Sequence, residues 1–325
     1  MINRRMDSCI IDDLERLIIL HMKTYQIGAG VLTLCTPRGN YHCGYGTSPG
    51  TVMRVASISK SITAAILREG RLGEHLEETL YSFYQRRGRP LPEPLDERAK
   101  RITLQHLLDH TSGFDNEHIG CDPVAAPVGV LAQCSTLDQL LSYILTHFTL
   151  ASDPGTRYSY SNLSYCILGR VIELETGRPY IEEARYVLQS RNVYLGKFDT
   201  RCPNEIETYD IVPPDGPYPL ERLTGAGNLV VGSNVLASYA LSHYIIGENI
   251  GKPITERTQK SFVFWGSLPG TDAYLFSGID GWQKYSLCII FNKRVPDQDT
   301  VTEGFLNSVK NFLSKHFNLS FPEDE

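Results

Sequence analysis

The sequence lacks an excess of basic residues. Its 325 residues contain 31 Lys and Arg against 37 Asp and Glu, so the formal net charge is −6. Proteins that bind nucleic acid neutralise the phosphate backbone with clustered cations. The charge balance therefore argues against DNA or RNA as a partner.

Long hydrophobic runs are also missing. The densest early stretch, Leu17–Leu20, ends at His21, whereas a membrane helix needs about 20 consecutive apolar residues. A secretory signal needs a continuous apolar segment behind a basic start. Here charged side chains interrupt the first twenty residues, namely Asp12, Asp13, Glu15 and Arg16. We therefore expect a cytoplasmic protein with no membrane partner.

Motifs for metals and cofactors are absent as well. The eight cysteines form no CxxC pair and no Cys/His cluster with zinc spacing, so we expect reduced thiols, although Cys35 and Cys43 flank a predicted hairpin and could face each other. His106 and His110 lack a third ligand nearby. Gly225-Ala226-Gly227 lacks the lysine of a phosphate-binding loop. The sequence therefore predicts neither a metal nor an organic cofactor.

The periodicity of the sequence predicts helix and antiparallel strands at both ends and helices in the middle. The predicted elements are helices at 8–23, 57–69, 162–176, 181–188 and around 305–313, helices capped by Thr103 and Thr136, and strands at 29–36, 41–45, 52–56, 273–277 and 284–292. This order is typical of an α/β (α+β) protein. We expect one domain with an antiparallel sheet from 1–70 and 223–325, a helical subdomain insertion at 71–222, and a cleft between them. The segment 190–222 has little periodicity and is predicted to be a loop that overhangs this cleft.

Ser57 and Lys60 lie at a predicted junction between a strand and a helix. Residues three apart share one helix face, so Lys60 can reach the Ser57 hydroxyl. The free N–H groups at a helix start favour negative charge nearby. A serine nucleophile needs both features. The spacing is not specific by itself, and a simple N-cap is the alternative interpretation of Ser57.

Tyr160 and Asn162 precede another predicted helix much later in the chain. A tyrosine in this position is usually packed at a surface, and an asparagine is usually a cap. The neighbouring segments favour a catalytic role instead, because 153–157 lies shortly before this pair and 107–114 lies further upstream. His110 of the upstream segment follows a predicted helix in a turn, so we expect it to have a structural hydrogen-bonding role.

Three of these segments together resemble the signatures of the serine β-lactamase-related family. They are Ser57-x-x-Lys60, Leu107 to Gly113, and Pro154-Gly155-x-x-Tyr158-x-Tyr160-Ser161-Asn162. The family contains class C β-lactamases, D-Ala-D-Ala carboxypeptidases, esterases and acyltransferases. The resemblance runs from the first helix to the last and is thin between 190 and 222. It implies a β-lactamase-like fold, in which a helical subdomain lies against an antiparallel sheet flanked by helices.

The resemblance also implies a role for each motif residue. Ser57 would be the acylated nucleophile, Lys60 its activator and Tyr160 the partner that transfers protons. Asn162 would position the other groups by hydrogen bonding. Which of Lys60 and Tyr160 carries the proton stays open, because a phenolate and a neutral lysine could each act as the base.

The third motif of that family departs from its pattern here. Relatives carry a Lys or His followed by Thr or Gly and then Gly on the strand that lines the cleft, and the counterpart is Phe264-Trp265-Gly266-Ser267. In penicillin-recognising relatives the cation helps to bind the substrate carboxylate, so its loss weakens antibiotic and peptidoglycan interpretations. Either aromatic residue could be the equivalent, and a buried core pair is the alternative. We assign the oxyanion donors to the backbone N–H groups of Ser57 and Ser267.

The primary hypothesis is a serine hydrolase or acyltransferase that forms a Ser57 acyl-enzyme. Its substrate would be a small-molecule ester, thioester or amide, with water, an alcohol or an amine as acceptor, in a biosynthetic pathway. One alternative is a repurposed member that binds a small ligand in the same cleft without acylation. Another is an intracellular D-amino-acid peptidase or amidase.

Overall fold

A computed structural model describes residues 8–126, 128–208, 219–247, 249–254, 261–295 and 298–321, without the side chains of 298 and 299. Part of the predicted overhanging loop, 209–218, lies outside these ranges. The helices are α1 Ser8–Thr24, α2 Ser59–Glu69, α3 Leu80–Arg86, α4 Leu104–Leu108, α5 Asn116–Ile119, α6 Gly129–Gln133, α7 Leu137–His147, α8 Asn162–Thr176, α9 Tyr180–Val187, α10 Ser233–Ala240 and α11 Gln298–Phe317. The strands are β1 Gly30–Thr36, β2 Gly39–Tyr45, β3 Met53–Arg54, β4 Val193–Leu195, β5 Leu229–Val231, β6 Ser261–Leu268, β7 Thr271–Asp280 and β8 Gln283–Phe291.

The larger sheet is antiparallel and has the strand order β2-β1-β8-β7-β6. Side chains alternate between its two faces with period two. Leu32 and Leu34 pack with the apolar faces of α1 and α11, whereas Val31 and Cys35 join the core on the helical side. The β-lactamase-like fold predicted from the sequence, with an antiparallel sheet flanked by helices, is confirmed.

The first hairpin excludes the pairing considered for two cysteines. Cys35 lies opposite Asn40, and Cys43 lies opposite Leu32. Because Cys35 and Leu32 are an odd number of residues apart, Cys35 and Cys43 point to opposite faces of the sheet. Both are reduced thiols, as are the other six cysteines.

The segment predicted as a helical insertion carries α3 to α9 and also one strand. Strand β4 pairs with β5, which pairs with β3, and these three strands form a second small sheet. Helix α2 lies at the centre of the helical side and contacts α8 and α9. The predicted overhanging loop therefore includes β4, and the second sheet joins the insertion to the chain just before Ser57.

The sequence predicted the caps of two helices correctly and the length of one hairpin turn incorrectly. The Thr103 hydroxyl accepts from His106 N–H, and the Thr136 hydroxyl accepts from Gln139 N–H, as an N-cap requires. The turn between the strands predicted at 273–277 and 284–292 is shorter than expected, because β7 continues to Asp280. Gly278 lies within β7 and packs against the Leu319 side chain, to which a Cβ at this position would come within 2.7 Å. Among the described helices, none is long and apolar enough to cross a membrane.

Candidate active site

Ser57 lies in a tight turn between β3 and α2. The preceding Ala56 has φ +48°, a left-handed conformation that costs a non-glycine residue about 1–2 kcal/mol. A single 3₁₀ turn, Ala56–Ile58, then leads into α2. Neither this turn nor α2 has a side-chain cap, so the interpretation of Ser57 as an N-cap is wrong. Ser57 is half-buried, and its hydroxyl instead faces the functional groups of two other residues.

Those two groups are the Lys60 amine and the Tyr160 hydroxyl. Lys60 Nζ lies 3.2 Å from Ser57 Oγ, and the Tyr160 hydroxyl donates to the same oxygen at 2.8 Å. Both distances are within hydrogen-bond reach. A proton can therefore move between Ser57 and Tyr160 without an intervening water.

Lys60 is almost completely buried, with 1% of its surface exposed, yet its amine is fully hydrogen-bonded. Besides Ser57 Oγ, it donates to Asn162 Oδ1 at 2.7 Å and to the Ala226 carbonyl at 2.8 Å. An ammonium group has three donors, and three acceptors surround it here. The arrangement therefore suits a charged Lys60.

The start of α8 supplies Tyr160 and Asn162. Ser161 is the N-cap of this helix and accepts from Ser164 N–H at 3.2 Å, so Asn162 is free of the capping role that its position suggested. Tyr160 is 38% exposed to solvent, and Lys60 Nζ lies 4.8 Å from the centroid of its ring. The helix start thus places a phenol and a carboxamide beside the same amine group.

His110 packs against Tyr160 and binds the backbone next to it. Its Nδ1 accepts from Ser161 N–H at 3.1 Å, and its ring stacks on that of Tyr160 with centroids 4.7 Å apart. Burial, and then the nearby charge of Lys60, lower the pKa of His110 to about 3. The imidazole is therefore neutral at pH 7, with its proton on Nε2. These contacts agree with the structural role expected from the sequence.

Asp122 is a residue of this network that sequence reasoning missed. It lies between α5 and α6, outside the three motifs, and its Oδ2 accepts from Asn162 Nδ2 at 2.6 Å. Its Oδ1 accepts from Val124 N–H at 3.2 Å and so closes a local turn. A single aspartate in a loop carries no sequence signal that would have indicated this contact.

Strand β6 forms the opposite wall, where Gly266 touches the Ser57 turn. A Cβ at Gly266 would lie 2.6 Å from Ser57 N and 2.7 Å from the Val55 carbonyl oxygen, so only glycine allows this approach. Phe264 lies two residues before Gly266, so both are on the same face of β6. The Phe264 side chain packs with the core on the helical side. Trp265 packs with the core on the other face of the sheet. Of the two aromatic residues, Phe264 is therefore the one whose side chain lies on the same face of β6 as Gly266.

The cleft around Ser57 has two compartments, which share Tyr160 and Phe264. The Ser57 compartment has a volume of about 420 Å³ and includes all eight predicted site residues except Lys60. The Tyr158 compartment has a volume of about 370 Å³ and reaches Lys60. Its other lining residues are Leu108, Asp109, His110, Tyr158, Tyr165, Ile246, Gly247 and Ile250. The structure thus brings every predicted site residue to one cleft.

Two polar side chains near the cleft, those of Ser267 and His106, form hydrogen bonds within the fold. The Ser267 side chain hydrogen-bonds Asp272, whose pKa is raised to about 6, mainly by burial. His106 Nδ1 accepts from Thr103 N–H, so His106 is part of the cap of α4. Over the described ranges, no three His, Cys, Asp or Glu side chains are grouped as metal ligands.

Curated relatives match parts of this chain. The protein named "Probable fimbrial assembly protein FimD, serogroup H1" from Dichelobacter nodosus is 30% identical over 187 residues, which are 52% of this chain and 43% of that protein. A D-aminopeptidase from Brucella anthropi is 33% identical over 139 residues, which are 42% of this chain and 24% of that enzyme. The chain thus spans less than half the length of each of these relatives.

Solved structures share the fold over nearly the whole chain. A D-amino acid amidase from Ochrobactrum anthropi SV3 has a TM-score of 0.65 at 19% identity and covers 93% of this chain and 99% of its own. A β-lactamase/D-alanine carboxypeptidase from Pseudomonas syringae has a TM-score of 0.67 at 16% identity, with coverages of 95% and 99%. The beta-lactamase family model matches residues 14–298. The chain therefore belongs to the beta-lactamase family, a family of serine hydrolases.

Proposed function

We propose that this protein hydrolyses a small-molecule ester or amide through an acyl-enzyme on Ser57. The observation that carries the proposal is the convergence of the Lys60 amine and the Tyr160 hydroxyl on Ser57 Oγ, at 3.2 and 2.8 Å. A serine needs a neighbouring proton acceptor to become a nucleophile. The contact with Tyr160, beside a buried cation, fits that need.

In the proposed acylation, Tyr160 as phenolate takes the proton of Ser57 while Oγ bonds to the substrate carbonyl carbon. Lys60 stabilises the phenolate as an ammonium group, because its three acceptors suit the charged form. Collapse of the tetrahedral intermediate breaks the bond to the leaving group, which receives the proton from Tyr160. In the alternative, a neutral Lys60 is the base: it would accept from the Ser57 hydroxyl and donate to Asn162 Oδ1 and to the Ala226 carbonyl.

The oxyanion would be bound by the backbone N–H groups of Ser57 and Ser267. The close approach of Gly266 to Ser57 N supports this pair, because it brings the two segments into contact. Fixed donors of this kind are typically worth 10²–10³-fold in rate. Deacylation would follow the same route in reverse, with Tyr160 deprotonating a water molecule or an alcohol or amine acceptor.

Phe264 narrows the substrate class. It lines both compartments where penicillin-recognising relatives would present a cation, so a carboxylate at this wall would meet an aromatic ring. The Tyr158 compartment adds Ile246 and Ile250 to the apolar surface. We therefore propose a substrate that is uncharged and apolar on the side that faces Phe264.

A D-amino-acid amidase or peptidase is the second candidate. It is favoured by the D-aminopeptidase relative, which is 33% identical over 139 residues, and by the D-amino acid amidase structure, with its TM-score of 0.65. The same Ser57 acyl-enzyme would serve an amide with an apolar side chain. A fold member that binds a ligand without acylation remains the third hypothesis.

The proposal is tested by measuring hydrolysis of neutral p-nitrophenyl esters and of D- and L-phenylalanine p-nitroanilides, with Ser57→Ala as the control. We expect ester turnover that the Ser57→Ala variant loses. Turnover of the D-anilide above that of the L-anilide would favour the second candidate. Equal rates for the wild type and Ser57→Ala on every compound would reject both.

A further inference from the structure

Asn162 can face Lys60 in two orientations of its carboxamide. With Oδ1 towards Lys60 it accepts from the amine, and with Nδ2 towards Lys60 two donors would oppose each other. The two orientations have nearly the same shape, so neighbouring groups decide between them. In the structure Oδ1 faces Lys60 at 2.7 Å.

Asp122 is the neighbour that decides. An ionised carboxylate only accepts hydrogen bonds, and its Oδ2 lies 2.6 Å from Asn162 Nδ2. The carboxylate therefore holds the N–H side of the amide and directs Oδ1 to Lys60.

We propose that Asp122 is a positioning residue of the Ser57 site and acts through Asn162. It fixes the Asn162 carboxamide, which in turn holds Lys60 Nζ within 3.2 Å of Ser57 Oγ. Asn162 then serves the lysine rather than the substrate. The inference rests on the proposed acylation of Ser57, and it assigns a role to a loop outside the three motifs.

The test compares Asp122→Ser with Asp122→Asn. A serine hydroxyl can still accept from Val124 N–H and keep the local turn, but it is too short to reach Asn162. An asparagine has the shape of the aspartate and can accept from Asn162 through its single oxygen, but its NH2 group then faces Val124 N–H, so it keeps the Asn162 contact and loses the turn contact. We expect Asp122→Ser to slow acylation by about tenfold to a hundredfold at an unchanged KM, and Asp122→Asn to stay within about threefold of the wild type.

A double-mutant cycle with Asn162→Ala tests whether Asp122 acts through Asn162. If Asp122 acts through Asn162, Asp122→Ser should slow the Asn162→Ala variant no further, within about twofold. An unchanged rate in Asp122→Ser, or losses that multiply in the double variant, would overturn the proposal. Failure of the wild type to acylate would reject the proposed function instead, so the two failures are distinguishable.

The swapped pair covers the case in which Asp122→Ser does not fold. Asn162→Asp alone sets two carboxylates against each other, and adding Asp122→Asn restores a donor opposite an acceptor while keeping an oxygen on Lys60. The swapped double variant should acylate at least about tenfold faster than Asn162→Asp alone. Absence of this rescue would contradict the proposal.

Discussion

The Tyr160 hydroxyl lies 2.8 Å from Ser57 Oγ, although the two residues are 103 positions apart in the chain. His110 fixes the phenol from behind through ring stacking and through its hydrogen bond to Ser161 N–H. The Tyr160 ring thus contacts both a neutral imidazole and the buried amine of Lys60. The proposed proton transfer from Ser57 depends on the contact between Tyr160 and Ser57.

Loss of either partner of Ser57 should slow acylation. Tyr160→Phe removes the proton acceptor, and Lys60→Met removes the charge while nearly keeping the volume. We expect each to reduce the acylation rate at least about a hundredfold, the usual effect of a general acid–base partner. Tyr186→Phe is a matched control, because Tyr186 is 75% exposed on α9 and lines neither compartment. Stopped-flow release of p-nitrophenol measures the rates, and near-normal values for the first two variants would remove them from the mechanism.

Gly266→Ala should damage the site through the backbone. The new methyl group would lie 2.6 Å from Ser57 N and 2.7 Å from the Val55 carbonyl oxygen, and neither atom is at the end of a flexible side chain. We expect a loss of stability of about 1–3 kcal/mol and a larger loss of activity. Gly304→Ala is the control, because nothing lies within 4 Å of its Cβ in α11, and it should be neutral or stabilising by up to about 1 kcal/mol. Urea unfolding measures both, and equal stabilities of the two variants would contradict the close packing of β6.

His110 should make the fold sensitive to acid. Because its pKa in the folded protein is about 3, the unfolded chain takes up a proton below about pH 6.5 that the folded chain does not. The contribution of His110 to stability is therefore complete above pH 6.5 and falls by about 1.4 kcal/mol per pH unit below it.

His110→Asn isolates this effect. Asparagine tolerates the φ of +58° at this position and offers an oxygen in place of Nδ1, but it does not titrate. The variant should be less stable than the wild type at pH 7, and the difference should shrink steadily from pH 6.5 to pH 5. A constant difference in the free energy of unfolding over that range would show that His110 is not held neutral.

Phe264→Lys should restore affinity for acidic substrates. A cation at this wall can pair with a carboxylate in the partly enclosed cleft. We expect the ratio of kcat/KM for a carboxylate-bearing ester to that for its neutral analogue to rise at least about tenfold. Phe264→Leu, which stays apolar, should leave the ratio unchanged. An equal ratio in both variants would mean that Phe264 does not face the substrate.

Sequence alone predicted those parts of the fold and site that local patterns encode. The hydrophobic period of three to four residues located α1 and α11, and two runs of β-forming residues located the first hairpin. Helix spacing linked Ser57 with Lys60. Resemblance to a family then added Tyr160, which no spacing rule could bring to this pair.

Sequence could not predict contacts that depend on the packing of distant segments. The aspartate at position 122 lies in a loop without periodicity, and its contact with Asn162 exists only once α8 is packed against α2 and α4. The choice between Phe264 and Trp265 likewise required the register of β6 on β7, which decides the face of each side chain. The division into 1–70 with 223–325 and 71–222 stays a prediction.

The central claim is that Ser57 is the nucleophile, and intact-mass analysis after incubation with a fluorophosphonate tests it most directly. We predict one adduct on the wild type, mapped to Ser57 by peptide sequencing, and none on Ser57→Ala. An unmodified wild type, or equal labelling of the variant, would contradict the account.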